Sequence, residues 1–171
     1  MELTKKERTI KYVVYAVIIA VLSLLQNVGG LWFEIGGARC FFLIPAAVLL
    51  SLDEDEKTAA LIGLFAGLLW DITAAHHMGF NCLFIMVSCY IMSVLVTHLF
   101  RATFWVGTVG AVLFTFLYVL IYWLIFVLIK GGDGSGVAFF NFYLPSFFYT
   151  AVMTVVMNIA FVPLKRKLNK A

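Results

Sequence analysis

"RCFFLIPAAVLLSL", residues 39–52, decides how many times this chain passes through a membrane. Its charge-free part, Cys40 to Leu52, spans only about 20 Å as a helix, whereas a hydrocarbon core is roughly 30 Å thick. By length alone it is closer to a re-entrant segment than to a crossing. The rest of the chain is easier to read. Its 171 residues are 64% hydrophobic and 12% charged, too much apolar surface for one soluble core to hide. The composition describes a polytopic, all-α membrane protein, with 1–171 as a single integral membrane domain. The expected spans are Ile10 to Leu31, Arg39 to Leu52, Thr58 to Ala75, Gly79 to Phe100, Phe104 to Ile129 and Pro145 to Leu164. The basic start, Lys5, Lys6, Arg8 and Lys11, could open a secretory signal. "LSLLQNVGG" offers no A-x-A-like cleavage site, however, and the first span is expected to be retained.

Parity resolves the short segment. With six crossings, Lys5, Lys6, Arg8, Lys11, Lys57, Arg101, Lys165, Arg166, Lys167 and Lys170 share one side, leaving only Arg39 and Lys130 on the other. Basic residues gather on the cytoplasmic side. Without the second crossing, the basic carboxyl-terminal cluster would face away from the basic amino-terminal one. Six transmembrane helices with both termini cytoplasmic are therefore expected, Arg39 snorkelling to lengthen the short one.

The loops follow from this orientation. In "DEDEK", Asp53, Glu54, Asp55 and Glu56 precede the third helix, whose positive dipole end favours carboxylates; docking of a basic partner is the other use of such a cluster. The long loop, Lys130 to Leu144, faces outward. Its "AFFNFYLPSFFY" suits an aromatic belt at the headgroup boundary or a landing surface for another membrane protein.

The third helix carries a stripe. Ala60, Gly63, Gly67, Asp71 and Ala74 follow at steps of three and four, hence on one face. Gly63 and Gly67 form a small-xxx-small pair that allows another helix close, so Asp71 should point between helices. A carboxylate at the centre of a span costs about 2.5 to 3.5 kcal/mol and less near an end. In the last turn of its helix it also meets a repulsive dipole. Candidate partners are His76, His77, Asn81 and the amides of "AAHHMG", where Gly79 can adopt a positive φ. Asp71 either pins this turn or binds a partner; the two roles are compatible. Ser146, Thr150, Thr154 and Asn158 on the last span, and Thr108, Ala111, Thr115, Tyr118 and Tyr122 on the fifth, form further stripes suited to interhelical hydrogen bonds.

No catalytic team is recognisable: G-x-S-x-G, H-E-x-x-H and Walker patterns do not occur. Adjacent His76 and His77 are poorly placed to ligate one ion from one helix face, so no metal is expected. Cys40, Cys82 and Cys89, odd in number and without C-x-x-C spacing, read as small buried residues. No cofactor is expected.

"GLFAGLLWDITAAHHMGFNCLFIMVSCYIMSVL", residues 63–95, resembles the MreD family of bacterial rod-shape membrane proteins: a glycine-spaced helix, an Asp, a small-residue turn, then Gly and Asn opening the next helix. The tail "LPSFFYTAVMTVVMNIAFVPLKRKL", with a proline at each end of the last span and a basic finish, is a second point of similarity. The chain departs from the family in having "TAAHH" where a Ser-Gly turn is common. The resemblance implies a non-catalytic scaffold of the bacterial cytoplasmic membrane. Its fold would be similar to the substrate-binding subunits of energy-coupling-factor vitamin transporters. It would bind MreC and act with RodA, a class B penicillin-binding protein and MreB filaments in lateral peptidoglycan synthesis, with membrane lipid and no nucleic acid as its surroundings. Gly63, Gly67, Asp71, Gly79 and Asn81 are the residues it ties to function. The rival is a vitamin-capturing transporter subunit, with Ala16 and Ala20 on the first helix as the face toward a coupling subunit. Short, aromatic outward loops with few hydrogen-bonding groups count against it.

Overall fold

The computed structural model describes residues 5–28, 38–74, 79–129 and 135–169. The described elements are helical throughout. They are α1 (Lys5–Asn27), α2 (Leu43–Ser51), α3 (Glu56–Ala74), α4 (Phe80–His98), α5 (Phe104–Tyr122), a π-helical turn (Trp123–Leu128), α6 (Ser135–Ala138), a second π segment (Phe139–Tyr143) and α7 (Leu144–Leu168). Four stretches, Lys5–Asn27, Phe80–His98, Phe104–Leu128 and Gly136–Leu168, are long and apolar enough to cross a membrane. Long helices also turn apolar stripes outward: Val13, Val17, Val21 and Leu24 on α1, and Leu61, Phe65, Leu68 and Ile72 on α3, are exposed. Polar side chains such as Ser88, Ser93, Thr115, Thr154 and Asn158 lie inside. Apolar outside and polar within is the arrangement lipid favours.

Residues 39–52 do not form the continuous helix expected of them. Helix starts at Leu43 and lasts nine residues, all buried, and it packs against α1, α3, α4, α5 and α7. Pro45 explains the late start. A proline has no N–H and clashes with the carbonyl four residues earlier, so it is accommodated most easily in a first turn. Phe42 already has helical dihedrals, whereas 39–41 are extended, the amides of 39 and 41 meeting residues one turn (about 6 Å) apart on α7; side chains satisfy the amides of this stretch. Arg39 N–H donates to Ser146 Oγ (3.0 Å), Phe41 N–H to Thr150 Oγ1 (3.0 Å) and Leu43 N–H to Gln26 Oε1 (3.0 Å). The expectation that the α7 stripe bonds helix to helix is thus corrected at Ser146 and Thr150, which serve this extended backbone. Asn158 does bridge helices, its Nδ2 donating to Phe104 O (2.9 Å) and Thr108 Oγ1 (2.8 Å) on α5.

The extended residues also lengthen the segment. At about 3.3 Å per residue, 38–41 covers roughly 13 Å, and Phe42 with the nine helical residues adds about 15 Å. The segment accordingly runs beside α7 from Ser146 to Lys165, whose Nζ donates to Leu49 O (2.9 Å). Arg39 is therefore not a helical residue lengthening a short helix; it belongs to the extended residues before α2.

One end of the molecule is tied by charge. Lys11 on α1 pairs with Glu54 (2.5 Å), both side chains nearly inaccessible, and Lys165 on α7 pairs with Asp53 (2.6 Å). The chain's first and last helices thus meet the 52–55 turn at the same end. Glu54 also accepts from the Tyr12 hydroxyl (3.3 Å), and its carbonyl from Ser93 (2.8 Å) on α4. Of the acidic run, Asp55 is the cap. Its carboxylate takes the Thr58 hydroxyl (2.7 Å) and amide (3.3 Å), and the Thr58 hydroxyl bond is the main reason its pKa is lowered. A carboxyl depressed in the fold stabilises above its unfolded pKa and ceases to do so as pH falls through its folded value. Asp55→Asn is therefore expected to lower the thermal midpoint at neutral pH, a difference that vanishes in acid; a constant difference would refute the cap.

The other end departs from the expected loop between Lys130 and Leu144. Helix begins again at Ser135, and Gly136–Leu168 forms one helical stretch of 33 residues. Pro145 lies within it, not at a free start, and the π segment Phe139–Tyr143 comes directly before. A wider π turn is one way a helix accommodates a proline that cannot donate and would crowd its preceding turn. The second π segment lies opposite the first, with Trp123 and Phe139 rings 4.9 Å apart and Tyr122 and Tyr143 6.2 Å apart.

Candidate functional site

α3 and α4 are the most closely paired helices, and the glycines are the reason. A Cβ on Gly63 would lie 2.6 Å from Ile85 O, and one on Gly67 would fall on the backbone of Cys82. Both glycines are buried, and the stripe packs backbone against backbone within this chain.

One turn further, Asp71 Oδ2 accepts the amides of Gly79 (2.9 Å) and Cys82 (3.0 Å). Gly79 is the N-cap of α4 with φ +95°, in the left-handed region where a glycine costs least. Having no side chain, it cannot supply the oxygen that normally receives the amide three residues on. Asp71 supplies it from the neighbouring helix. The carboxylate is thus repelled by the end of its own helix but lies on the positive end of the next, the favourable place for an anion. Its Oδ1 takes no partner among the described residues. His76 and His77, also expected as partners, lie outside the described residues.

Asn81 is buried one residue before Cys82, and its Oδ1 accepts the Tyr118 hydroxyl (2.7 Å) from α5. Tyr118 is the centre of a ring cluster: Trp70 at 5.1 Å, Phe84 at 5.3 Å, Phe41 at 5.8 Å and Phe80 at 5.9 Å. Edge and tilted contacts of this kind contribute beyond area burial. The five singled-out residues therefore form one unit, in which glycines bring α3 onto α4, Asp71 and Gly79 fix the turn, and Asn81 attaches α5. Among the described residues no group of three His, Cys, Asp or Glu side chains could hold a metal ion. Cys40, Cys82 and Cys89 are buried free thiols, and Cys82 Sγ lies 3.7 Å from Leu64 O.

Two features escaped the sequence reading. Lys11 sits a turn inside an apolar helix in register with Tyr15, Ile19 and Ser23, the buried face of α1, and this four-residue spacing was the available signal. Gln26 is a polar residue near the end of the first span, and nothing local in the sequence marks it as the acceptor for the first amide of α2.

The turn's bond pattern separates two substitutions. Asp71→Asn retains one carbonyl oxygen able to accept both amides, so a loss of about 1 kcal/mol is expected; Asp71→Leu strands both donors and should cost roughly 2 to 4 kcal/mol. Reversible unfolding in mixed micelles measures both. Equal losses would show that the carboxylate does not cap α4.

Together these features define a class: an all-helical chain with several membrane-length apolar helices, as a multi-pass membrane protein requires. No family model, curated protein or solved structure matches the chain.

Proposed function

We propose that the chain is a non-catalytic membrane scaffold of the bacterial cell-elongation machinery. In this reading it crosses the cytoplasmic membrane six times, with both termini cytoplasmic, and binds MreC in support of lateral peptidoglycan synthesis. The observation that carries the reading is that the residues bearing the resemblance to the MreD family meet in one unit, and that the contacts made by Asp71 and Asn81 are with backbone amides and a tyrosine hydroxyl of the chain itself. Such a unit sets helix positions and presents a fixed outer surface. The four membrane-length helices give four crossings; α3 and the half-extended 38–52 segment give the others. The ion-paired end is then cytoplasmic, in keeping with its basic residues. A fold similar to vitamin-capturing transporter subunits belongs to the same proposal.

Co-purification from bacterial membranes after crosslinking tests it. MreC is expected with the tagged chain, with RodA, a class B penicillin-binding protein and MreB filaments recovered through the same assembly. Recovery of the coupling subunit of a vitamin transporter in place of MreC would replace the scaffold reading with the capture-subunit one.

A further inference from the structure

We infer that the cavity between the start of α5 and the end of α7 holds the phosphate headgroup of an anionic membrane lipid. The inference stands apart from the scaffold reading and requires only that the chain sits in a bilayer. The cavity, about 410 Å³ in volume, lies at the ion-paired end of the molecule, where Lys165 and Asp53 both line it. Part of the lining is apolar, from Leu52, Phe104 and Val162. The rest is polar and basic, with Lys165 and Arg166 on α7 and Thr103 at the start of α5. Such a mixed lining suits a molecule that is charged at one end and hydrocarbon at the other.

Three features favour an oxyanion. The first is Lys165, whose residue is only 8% exposed. Its ammonium has three protons, of which Asp53 (2.6 Å) and Leu49 O (2.9 Å) take two. The third has no acceptor among the described residues, and a phosphate oxygen would recover the cost of leaving it unmet. The second is Arg166, exposed and without an ion-pair partner among the described residues. The one acid of the lining, Asp53, is bound to Lys165, so the guanidinium fork is left for a phosphate. The third is the start of α5. Thr103 is its N-cap, yet the Thr103 hydroxyl donates to Arg101 O (2.9 Å) and no side chain caps the first turn. The positive end of a 19-residue helix is therefore open beside the two cations. The level of the cavity favours a lipid over a free ion. Trp105, in the same first turn of α5, is 73% exposed, as an indole at the headgroup boundary is. Deeper on α7, exposed Ile159 and Val155 follow Val162 at steps of three and four and give an acyl chain an apolar track.

The full chain in a neutral detergent, titrated with dioleoylphosphatidylglycerol and read by native mass spectrometry, tests the site. One phosphatidylglycerol per chain is expected to bind about tenfold more tightly than dioleoylphosphatidylcholine, whose choline cancels the phosphate charge. Arg166→Gln should weaken phosphatidylglycerol by about tenfold. Lys167→Gln, an equal loss of charge at an exposed residue outside the lining, should leave it within about twofold. Ala102→Trp, at an exposed position of the lining, should fill the space and abolish the singly bound species. Equal affinity for the two lipids would overturn the proposal, and so would equal losses in Arg166→Gln and Lys167→Gln, the mark of general surface charge. Displacement of phosphatidylglycerol by inorganic phosphate would assign the site to a free ion and overturn the lipid reading. Undiminished binding by an Ala102→Trp protein with wild-type circular dichroism and thermal midpoint would also overturn it, an outcome that decides the matter even if Arg166→Gln does not fold.

Discussion

Gly67→Leu is expected to destabilise the protein by about 3 kcal/mol or more, at the upper end of what overpacking costs. The reason is the identity of the atoms in the way. A flexible side chain can rotate aside, but a Cβ on Gly67 meets the Cys82 Cα and the Asn81 carbonyl. The α4 backbone has to retreat, and the hydrogen bonds from Asp71 to Gly79 and Cys82 cross that same interface. Asn81 would move as well, loosening the Tyr118 bond. Gly110 is an instructive control because its added Cβ would meet only the end of Met92, a side chain that can move. Gly110→Ala should therefore cost much less. Reversible unfolding in mixed micelles compares the two. A Gly67→Leu protein within about 0.5 kcal/mol of wild type, the range of ordinary surface changes, would mean that α3 and α4 are not packed backbone to backbone.

Lys11→Met should produce the second large loss, about 3 to 5 kcal/mol, because removing one partner leaves the other charge buried. Glu54 has a side chain only 4% exposed, and the weak Tyr12 bond is no substitute for an ammonium. Replacing both partners, as Lys11→Met with Glu54→Leu, should recover much of the loss, since two apolar side chains leave no charge unpaired. The Lys165–Asp53 pair provides an internal comparison. Asp53 is 31% exposed, so water can solvate it when Lys165 is removed, and Lys165→Met should cost less than Lys11→Met. A double variant no more stable than Lys11→Met would contradict the buried-pair account.

The parts of the fold that depend on repeating pattern were visible in the sequence. Charge-free runs located the long helices, the three-and-four spacing from Ala60 to Ala74 put Gly63, Gly67 and Asp71 on the face that α4 covers, and Gly79 has the positive φ its turn required. Features that depend on tertiary partners were not visible. Whether 39–52 was helical depended on Ser146 and Thr150, more than a hundred residues away, being free to accept its amides. Pro45 did mark the earliest turn in which that helix could begin, yet hydropathy gives no weight to a proline's missing donor. The acidic turn misled for a related reason. Four consecutive carboxylates look alike in sequence, but Asp55 caps α3 while Asp53 and Glu54 reach lysines from opposite ends of the chain. The helix in place of an aromatic loop beyond Ser135 had a local signal in the run of large rings, which favours ordered packing as readily as a membrane boundary.

In the proposed topology the 38–52 segment passes through the membrane and so returns the chain to its basic end. Single cysteines at Lys57, Arg101, Gly136 and Lys167, all exposed positions, can be labelled with a membrane-impermeant maleimide from either side, after Cys40, Cys82 and Cys89 are replaced by alanine. With that topology, positions 57, 101 and 167 are expected to react only from the cytoplasm and position 136 only from outside. Labelling of 57 and 167 from opposite sides would contradict it.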